Sequence, residues 1–221
     1  MKMNLFQKNI KPRILIGTPV HEVKNYCFKE FLTSVKNLMD FSDSKWQFDL
    51  LLVDNSPNLQ YQEKVKKLCD EIKIVNYKII HLDLAIYDNG NFKHDRANVE
   101  ERVAYCREEM NKEFSKGDYT HLFFWESDII LPPDVFLKLM KFDAQFDVIS
   151  HVYPDRDDPT EERFGFGCTI IKRKWFEDFS FLYETEHYHG GEHRFLKKIR
   201  LAGGTWVELH NFFDIKHLAD K

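Results

Sequence analysis

The sequence lacks the long apolar runs of a membrane-spanning protein, and it has few cysteines. No uninterrupted apolar stretch reaches about 18 residues, which predicts no transmembrane segment. The amino terminus, MKMNLFQKNIKPR, has no apolar signal region, so secretion by that route is not expected. No CxxC pair occurs. We therefore expect reduced core cysteines in a cytoplasmic protein, at Cys27, Cys69, Cys106 and Cys168.

The sequence also lacks an excess of basic residues. Lysine and arginine number 32 against 36 aspartates and glutamates, which gives a net charge of −4. A mildly acidic chain is a poor candidate for binding nucleic acid through a general positive field. With 43% hydrophobic and 31% charged residues, the composition is that of a globular protein, and the 20 phenylalanines predict an aromatic core.

Short apolar runs and amphipathic segments alternate along the first two thirds of the chain. Four buried strands are predicted, at 13–17, 48–53, 74–80 and 121–125. Between and after them we predict helices at about 25–39, 61–72 and 96–114, and a loop at 83–95. A further helix is opened by Pro132-Pro133-Asp134, with proline in its first turn. This order indicates an α/β fold with a doubly wound, mostly parallel sheet. Ligands of such sheets lie beyond the carboxyl ends of the strands.

The last third of the chain is less regular. We predict strands at 147–152 and 166–172, a helix at about 192–202 and a final strand at 205–209. No linker-like segment separates this part from the rest. The sequence therefore predicts one domain.

Two acidic residues, Glu126 and Asp128, follow the apolar strand at 121–125. Side chains alternate along a strand, so both carboxylates can point to one side. A divalent cation with oxygen ligands would relieve their repulsion and could bridge to phosphate oxygens. In the alternative, Glu126 is a solvated loop residue and Asp128 caps the turn before Pro132. The pair alone leaves both interpretations open.

The segment Gly117–Asp134, GDYTHLFFWESDIILPPD, resembles the metal-site region of GT-A fold glycosyltransferases, especially the family 2-like group. In that group an apolar strand ends in an Asp-x-Asp motif, followed by a short apolar stretch and Pro-Pro-Asp or Pro-Pro-Glu. Further segments match the group's motifs in the same order, at 14–19, 51–56, 164–173, 190–204 and 215–217.

The resemblance covers nearly the whole chain and implies a single GT-A domain over 1–221. Its nucleotide-binding half would span about 11–142, and its acceptor and catalytic half about 143–221. The residues implied to contact the nucleotide sugar are Thr18, Pro19, Asp54, Arg96, Arg102 and Glu126. Those implied to bind a divalent metal, Mn²⁺ or Mg²⁺, are Glu126, Asp128 and His217.

Several of these residues have a purely structural alternative. Thr18 could simply end a strand before Pro19, and Asp54 could form a turn. Arg96 and Arg102 could lie on a solvated helix face. The glycines of the 164–173 segment either allow a close approach of the acceptor or form a bend.

The sequence departs from the family pattern at two places. The first aspartate of the metal motif is Glu126, whose extra methylene can move its contact toward the ribose or a metal-bound water. The helix that carries the catalytic base starts with Glu192-His193, where the group has Glu-Asp. Glu192 is our first candidate for the base. His193 is the second, because a neutral imidazole also accepts a proton near pH 7. Alternatively, Glu192 only places charge at a helix amino terminus.

The implied reaction moves a sugar, of the hexose type, from a nucleoside-diphosphate sugar to an acceptor hydroxyl, with inversion. Asp54 favours UDP in the donor, and GDP is the other nucleotide considered. The acceptor would be a glycan, a lipid-linked intermediate, a protein or a small molecule.

Three alternatives remain open. A non-catalytic GT-A-like domain that binds nucleotide or glycan is the first, because the aspartate expected after Glu192 is missing. A nucleotidyltransferase is the second, although the basic Gly-rich loop of those enzymes is absent after the first strand. The third is a zinc site in the segment 187–193, which holds three histidines and Glu192 but has no cysteine nearby.

Overall fold

The computed structural model describes residues 11–84, 96–155, 158, 160–182 and 191–219. The described helices are α1 (Phe28–Ser42), α2 (Leu59–Ile72), α3 (Arg96–Lys116), α4 (Val135–Leu139) and α5 (Glu192–Leu201). The described strands are β1 (Arg13–Val20), β2 (Gln47–Asp54), β3 (Tyr77–His81), β4 (His121–Trp125), β5 (Ile129–Ile130), β6 (Val148–His151), β7 (Tyr153–Pro154), β8 (Glu162–Arg163), β9 (Cys168–Lys172), β10 (Trp206–Leu209) and β11 (Lys216–His217).

A seven-stranded sheet forms the centre of the molecule, in the order β10-β6-β9-β4-β1-β2-β3. The pairs on either side of β1 are parallel, whereas β9 is antiparallel to both β4 and β6. The strand order reverses between β1 and β4. A parallel sheet of this kind is covered on both faces, which explains why β1, β2 and β4 are almost continuously apolar.

Alternating side chains divide the core into two layers. Ile14 and Ile16 of β1 lie on one face and pack with apolar residues of α1, α2 and α4. Leu15 lies on the other face, with Met110 of α3 and Phe195 of α5 among its cluster. The period of two along each strand therefore places helices on both faces of the sheet.

Most of the predicted elements are confirmed, with shifted bounds. β4 has the predicted limits, and α2, α3 and α5 differ from prediction by two residues or fewer at each end. β1 is longer than predicted, since it continues through Pro19 to Val20. Pro19 has no backbone N–H, so it is tolerated only where the neighbouring strand needs no hydrogen bond from that residue. Most of the predicted loop at 83–95 lies outside the described residues.

Two features of the elements after β4 differ from the prediction. The strand at 206–209 is not the last one, because β11 follows and pairs antiparallel with β5. These strands are two residues each, too short to show a period in the sequence. The two prolines after β5 precede α4 rather than entering its first turn, and the helix begins at Val135.

The four cysteines are buried and unpaired, as predicted. The central sheet draws strands from both of the predicted halves of the chain. The functional division between those halves stays a prediction. In the described part of the chain, no helix has both the length and the apolar character needed to cross a membrane.

Candidate active site

The carboxyl ends of β1, β2 and β4 meet where the strand order reverses, and this edge brings most of the predicted site residues together. Thr18 is near the end of β1, Asp54 ends β2, and Glu126 directly follows β4. In open α/β sheets this is the position at which ligands bind. The fold therefore places three residues from distant parts of the sequence at one candidate site.

Asp54 is fully buried, and both of its carboxylate oxygens accept hydrogen bonds or face a ring nitrogen. Oδ1 accepts from the backbone N–H of Ser56 at 3.0 Å and from its hydroxyl at 2.6 Å. Oδ2 lies 3.0 Å from Nδ1 of His81 at the end of β3. These contacts fix the turn after β2, which is the structural alternative considered above. The role of Asp54 in base recognition stays a prediction.

Several polar atoms at this edge are buried without a hydrogen-bond partner. They are the hydroxyl of Thr18, the amide oxygen of Asn55 and the hydroxyl of Ser127. Unsatisfied buried polar atoms are costly and are unusual in a folded protein. A polar ligand is one way to satisfy them. Pro19 is half-buried beside Thr18 and lies opposite Val53 in the sheet.

Arg102 is buried on α3 instead of lying on a solvated helix face. Its Nη1 lies 3.2 Å from Nε2 of His21 in the loop after β1. The ring of His21 also accepts a hydrogen bond from the N–H of Val23, at 3.1 Å through Nδ1. This places a guanidinium next to the β1 loop, near Thr18. Arg96 begins α3, but its side chain lies outside the described part of the structure.

Asp128 is buried between two basic side chains. Nζ of Lys24 lies 3.0 Å from Oδ1, and Nε2 of His217 lies 3.3 Å from Oδ2. Burial opposes ionisation of this carboxyl group. The positive charge of Lys24 and the hydrogen bond from His217 outweigh burial and lower its pKa well below the usual range. Asp128 is therefore a carboxylate.

The Asp128–His217 pair has the donor chemistry of a divalent-metal site. Nδ1 of His217 is 2.9 Å from the carbonyl oxygen of Pro154, to which it can donate. In the imidazolium form Nε2 donates to Asp128, whereas in the neutral ring with its N–H at Nδ1 the lone pair of Nε2 faces Asp128. Two acceptors 3.3 Å apart need a cation or a proton between them. The two residues thus fit a metal as a pair of adjacent ligands. Among the described residues, no group of three or more histidine, cysteine or acidic side chains is arranged to hold a metal.

Glu126 contacts a buried arginine, whereas Asp128 contacts Lys24 and His217. Oε1 of Glu126 lies 3.7 Å from Nη2 of Arg107, and the same nitrogen donates to Oε1 of Glu192. Glu192 is the first residue of α5. The metal-binding role of Glu126 stays a prediction, and its observed contact links it to the candidate base.

Glu192 is only 9% exposed, whereas His193 is exposed. Burial raises the pKa of Glu192 to about 7. Arg107 lowers the pKa of this group, the charge of Glu126 raises it, and hydrogen bonds from Arg107 and from the backbone of Phe166 lower it. A group that titrates near neutrality can accept a proton and release it again. The structure therefore favours Glu192 over His193 as the candidate base.

Sequence reasoning missed two basic residues of this site, Arg107 and Lys24. Arg107 occupies the apolar stripe of α3, four residues after Val103 and three before Met110. A charged residue on a buried helix face is a signal that could have identified it. No comparable pattern marks Lys24, which lies in a short 3₁₀ helix at Glu22–Lys24. Of the proposed zinc cluster, only Glu192 and His193 lie within the described residues.

Comparison with solved structures gives the fold a name. A mannosyltransferase from Pyrobaculum calidifontis, solved with GDP-Man and Mn²⁺, aligns with a TM-score of 0.62 and 12% identity over 92% of this chain and 56% of that one. Glucosyl-3-phosphoglycerate synthase from Mycobacterium tuberculosis, solved with Mn²⁺, UDP and glucosyl-3-phosphoglycerate, aligns with a TM-score of 0.54 and 9% identity. That alignment covers 96% of this chain and 73% of the synthase.

This chain has the GT-A fold. No protein-family model matches its sequence, and no curated protein matches it either. The chain spans little more than half of the Pyrobaculum enzyme. At these identities the likeness shows the fold alone.

Proposed function

We propose that this GT-A protein transfers a hexose from a nucleoside-diphosphate sugar to an acceptor hydroxyl, with inversion at the anomeric carbon. The observation that carries the proposal is the buried carboxylate of Glu192, whose pKa is raised to about 7 at the carboxyl edge of the sheet. Such a group accepts a proton from a hydroxyl at neutral pH.

The donor would bind along the ends of β1 and β2. Thr18, Pro19 and Asp54 supply polar and backbone groups for the nucleoside, and Arg102 supplies a positive charge beside the β1 loop. The neighbours named above were solved with GDP-Man and with UDP. UDP and GDP are therefore the first nucleotides to test.

Asp128 and His217 would hold a divalent metal, Mn²⁺ or Mg²⁺, which when bound neutralises charge on the diphosphate. The ammonium of Lys24, 3.0 Å from Asp128, adds positive charge at the same place. Both positive charges would stabilise the negative charge that develops on the departing diphosphate.

On the acceptor side, Glu192 would remove the proton of the attacking hydroxyl. The hydroxyl oxygen forms a bond to the anomeric carbon from the face opposite the diphosphate, and the bond to the diphosphate oxygen breaks with its electron pair. The proton remains on Glu192 until it is released to water. Because one displacement takes place, the configuration at the anomeric carbon inverts.

A calorimetric titration of UDP and of GDP, each with and without Mn²⁺, tests the proposal first. We expect one nucleotide to bind, and to bind more tightly with the metal. Donor turnover, followed as nucleotide release from UDP- and GDP-hexoses with glycan, lipid-linked and protein acceptors, tests the reaction. Binding of neither nucleotide would contradict the donor assignment. Binding without any turnover of donor would favour the non-catalytic alternative.

A further inference from the structure

Arg107 is a buried guanidinium that contacts carboxylates from two different elements. Its side chain is 2% exposed. It donates to Glu192 at the start of α5 and lies 3.7 Å from Glu126 after β4. The guanidinium carbon is also 4.9 Å from the centre of the Phe166 ring. One side chain of α3 therefore joins the donor-side and acceptor-side carboxylates of the proposed reaction.

A gain in stability alone does not explain the buried cluster of Arg107 and its two carboxylates. Burying a guanidinium and two carboxylates costs desolvation energy that an apolar cluster would avoid. The three side chains also carry a net negative charge when both glutamates are ionised. A planar guanidinium can, however, fix the direction of two carboxylates at once. Placement of Glu192 is therefore the more direct explanation of Arg107.

The contact with Arg107 determines which oxygen of Glu192 remains for chemistry. Arg107 binds Oε1, whereas Oε2 faces Gly165. A Cβ atom on Gly165 would lie 3.1 Å from Oε2 and 2.7 Å from the hydroxyl of Tyr153. The missing side chain of Gly165 thus leaves Oε2 of Glu192 and the hydroxyl of Tyr153 uncrowded at this point.

We propose that Arg107 is a positioning residue that holds Glu192 with Oε2 toward the acceptor and couples Glu192 to Glu126 on the donor side. This inference rests on the proposed function. A donor that contacts Glu126 would change the contact between Arg107 and Glu192. Donor binding would in this way affect the position of the base on the acceptor side.

The charges around Glu192 predict the direction in which its pKa changes when either neighbour is removed. Arg107 of α3 lowers the pKa of Glu192, and Glu126 after β4 raises it. The other groups that face Glu192 are the backbone N–H of Phe166 and the side chain of Tyr153, whose own pKa is raised by burial and by both glutamates. Removing the arginine or Glu126 should therefore move the titration of Glu192 in opposite directions.

The experiment is an NMR titration of protein labelled with ¹³C at the glutamate carboxyl groups, with the Glu192 signal assigned by its loss in Glu192→Gln. We expect Arg107→Gln to raise the titration midpoint by about one pH unit or more, and Glu126→Gln to lower it. Arg107→Lys should restore most of the midpoint, because the charge is kept. Turnover by Arg107→Lys should stay low, because an ammonium lacks the planar fork.

Arg13→Gln is the matched control, since Arg13 also contacts two carboxylates and a ring but lies at the opposite edge of the sheet. It should leave the Glu192 midpoint unchanged. Circular dichroism establishes that each variant is folded, and if Arg107→Gln is not, Glu126→Gln and Arg107→Lys carry the test. An unchanged Glu192 midpoint in folded Arg107→Gln or Glu126→Gln would overturn the inference. Because the titration needs no donor, it can fail or succeed independently of sugar transfer.

Discussion

Two arginines at opposite edges of the same sheet make similar contacts in different surroundings. Arg13, at the amino end of β1, pairs with Asp49 and Asp118, and its guanidinium carbon lies 4.7 Å from the centre of the Tyr119 ring. Arg107, near the carboxyl edge, likewise contacts two carboxylates and lies over an aromatic ring.

The difference between the two groups is exposure to water. At the amino edge the side chains of Arg13 and Asp118 are 29% and 71% exposed. At the carboxyl edge those of Arg107 and Glu192 are 2% and 12% exposed. Water screens the first group, so its ion pairs contribute little beyond modest stability. Burial raises the pKa of Glu192 to about 7, and this change makes the carboxyl edge suitable for proton transfer.

The largest expected effect is a loss of sugar transfer at the carboxyl edge that has no counterpart at the amino edge. Glu192→Gln should slow sugar transfer by about 10²–10⁴-fold, because the amide cannot take the proton of the acceptor. Nucleotide affinity should be unchanged in the calorimetric titration. Asp118→Asn, at the amino edge, should transfer at the wild-type rate. Wild-type transfer by Glu192→Gln would move the base to His193 or another residue.

The raised pKa of Glu192 also predicts a pH-dependent stability. The folded protein binds this proton more tightly than the unfolded chain, whose value is near 4.5. The stabilising contribution is complete below about pH 4.5 and is lost as the pH rises through about 7. Relative to Glu192→Gln, the wild type should therefore lose on the order of 3 kcal/mol of unfolding free energy between pH 4.5 and pH 8. Urea unfolding of both proteins across this range measures the difference, and a constant difference would contradict the burial effect.

Asp128→Ala tests the proposed metal pair at the carboxyl edge. The variant removes the carboxylate that lies beside Lys24 and His217. We expect nucleotide affinity in the presence of Mn²⁺ to fall about 100-fold, which corresponds to roughly 2.7 kcal/mol. Asp49→Asn is the amino-edge control and should bind as the wild type does. Equal affinities of Asp128→Ala and wild type would remove the metal assignment.

Gly165→Ala probes the close approach of Gly165 to Glu192 with a single methyl group. The new Cβ would lie 2.7 Å from the hydroxyl of Tyr153, closer than packing allows. We expect kcat/KM to fall about tenfold through displacement of Glu192 or the acceptor. The matched variant Gly117→Ala creates a similar clash with the ring of Tyr119 at the amino edge. It should lower the melting temperature without lowering kcat/KM; equal kinetic losses in both variants would indicate a general packing defect.

The smallest expected effect is that of Arg13→Gln. Loss of its part-exposed ion pairs and ring contact should lower the free energy of unfolding by about 1 kcal/mol. Nucleotide binding should not change, because Arg13 lies at the edge opposite the proposed site. A measurable change in nucleotide affinity would show that the two edges are coupled through the sheet. That result would contradict the separate roles assigned to them.

Much of the fold could be predicted because β1, β2 and β4 are apolar runs long enough to be recognised. The intervening helices have regular apolar stripes, and their bounds were predicted closely for α2 and α3. The pairing of β5 with β11 could not be predicted, because two-residue strands carry no period and form only when distant segments meet.

The candidate site was predictable only in part. Strand-end positions such as Asp54 and Glu126 follow from the parallel sheet, since its carboxyl ends meet at one edge. The ion pair of Asp128 with Lys24 joins residues 104 positions apart in sequence, and that of Glu192 with Arg107 joins residues 85 positions apart. No local pattern encodes such distances.

The sequence by itself determined the α/β class, the order of the main elements and the polar residues at the strand ends of the carboxyl edge. Hydrophobic period and turn residues are local properties, and they are sufficient for these features. Only the tertiary structure decided which charges meet and how deeply they are buried. Arg107 of α3, Tyr153 of β7 and the backbone at 165–166 surround Glu192, and burial there turns an ordinary glutamate into a group that titrates near neutral pH.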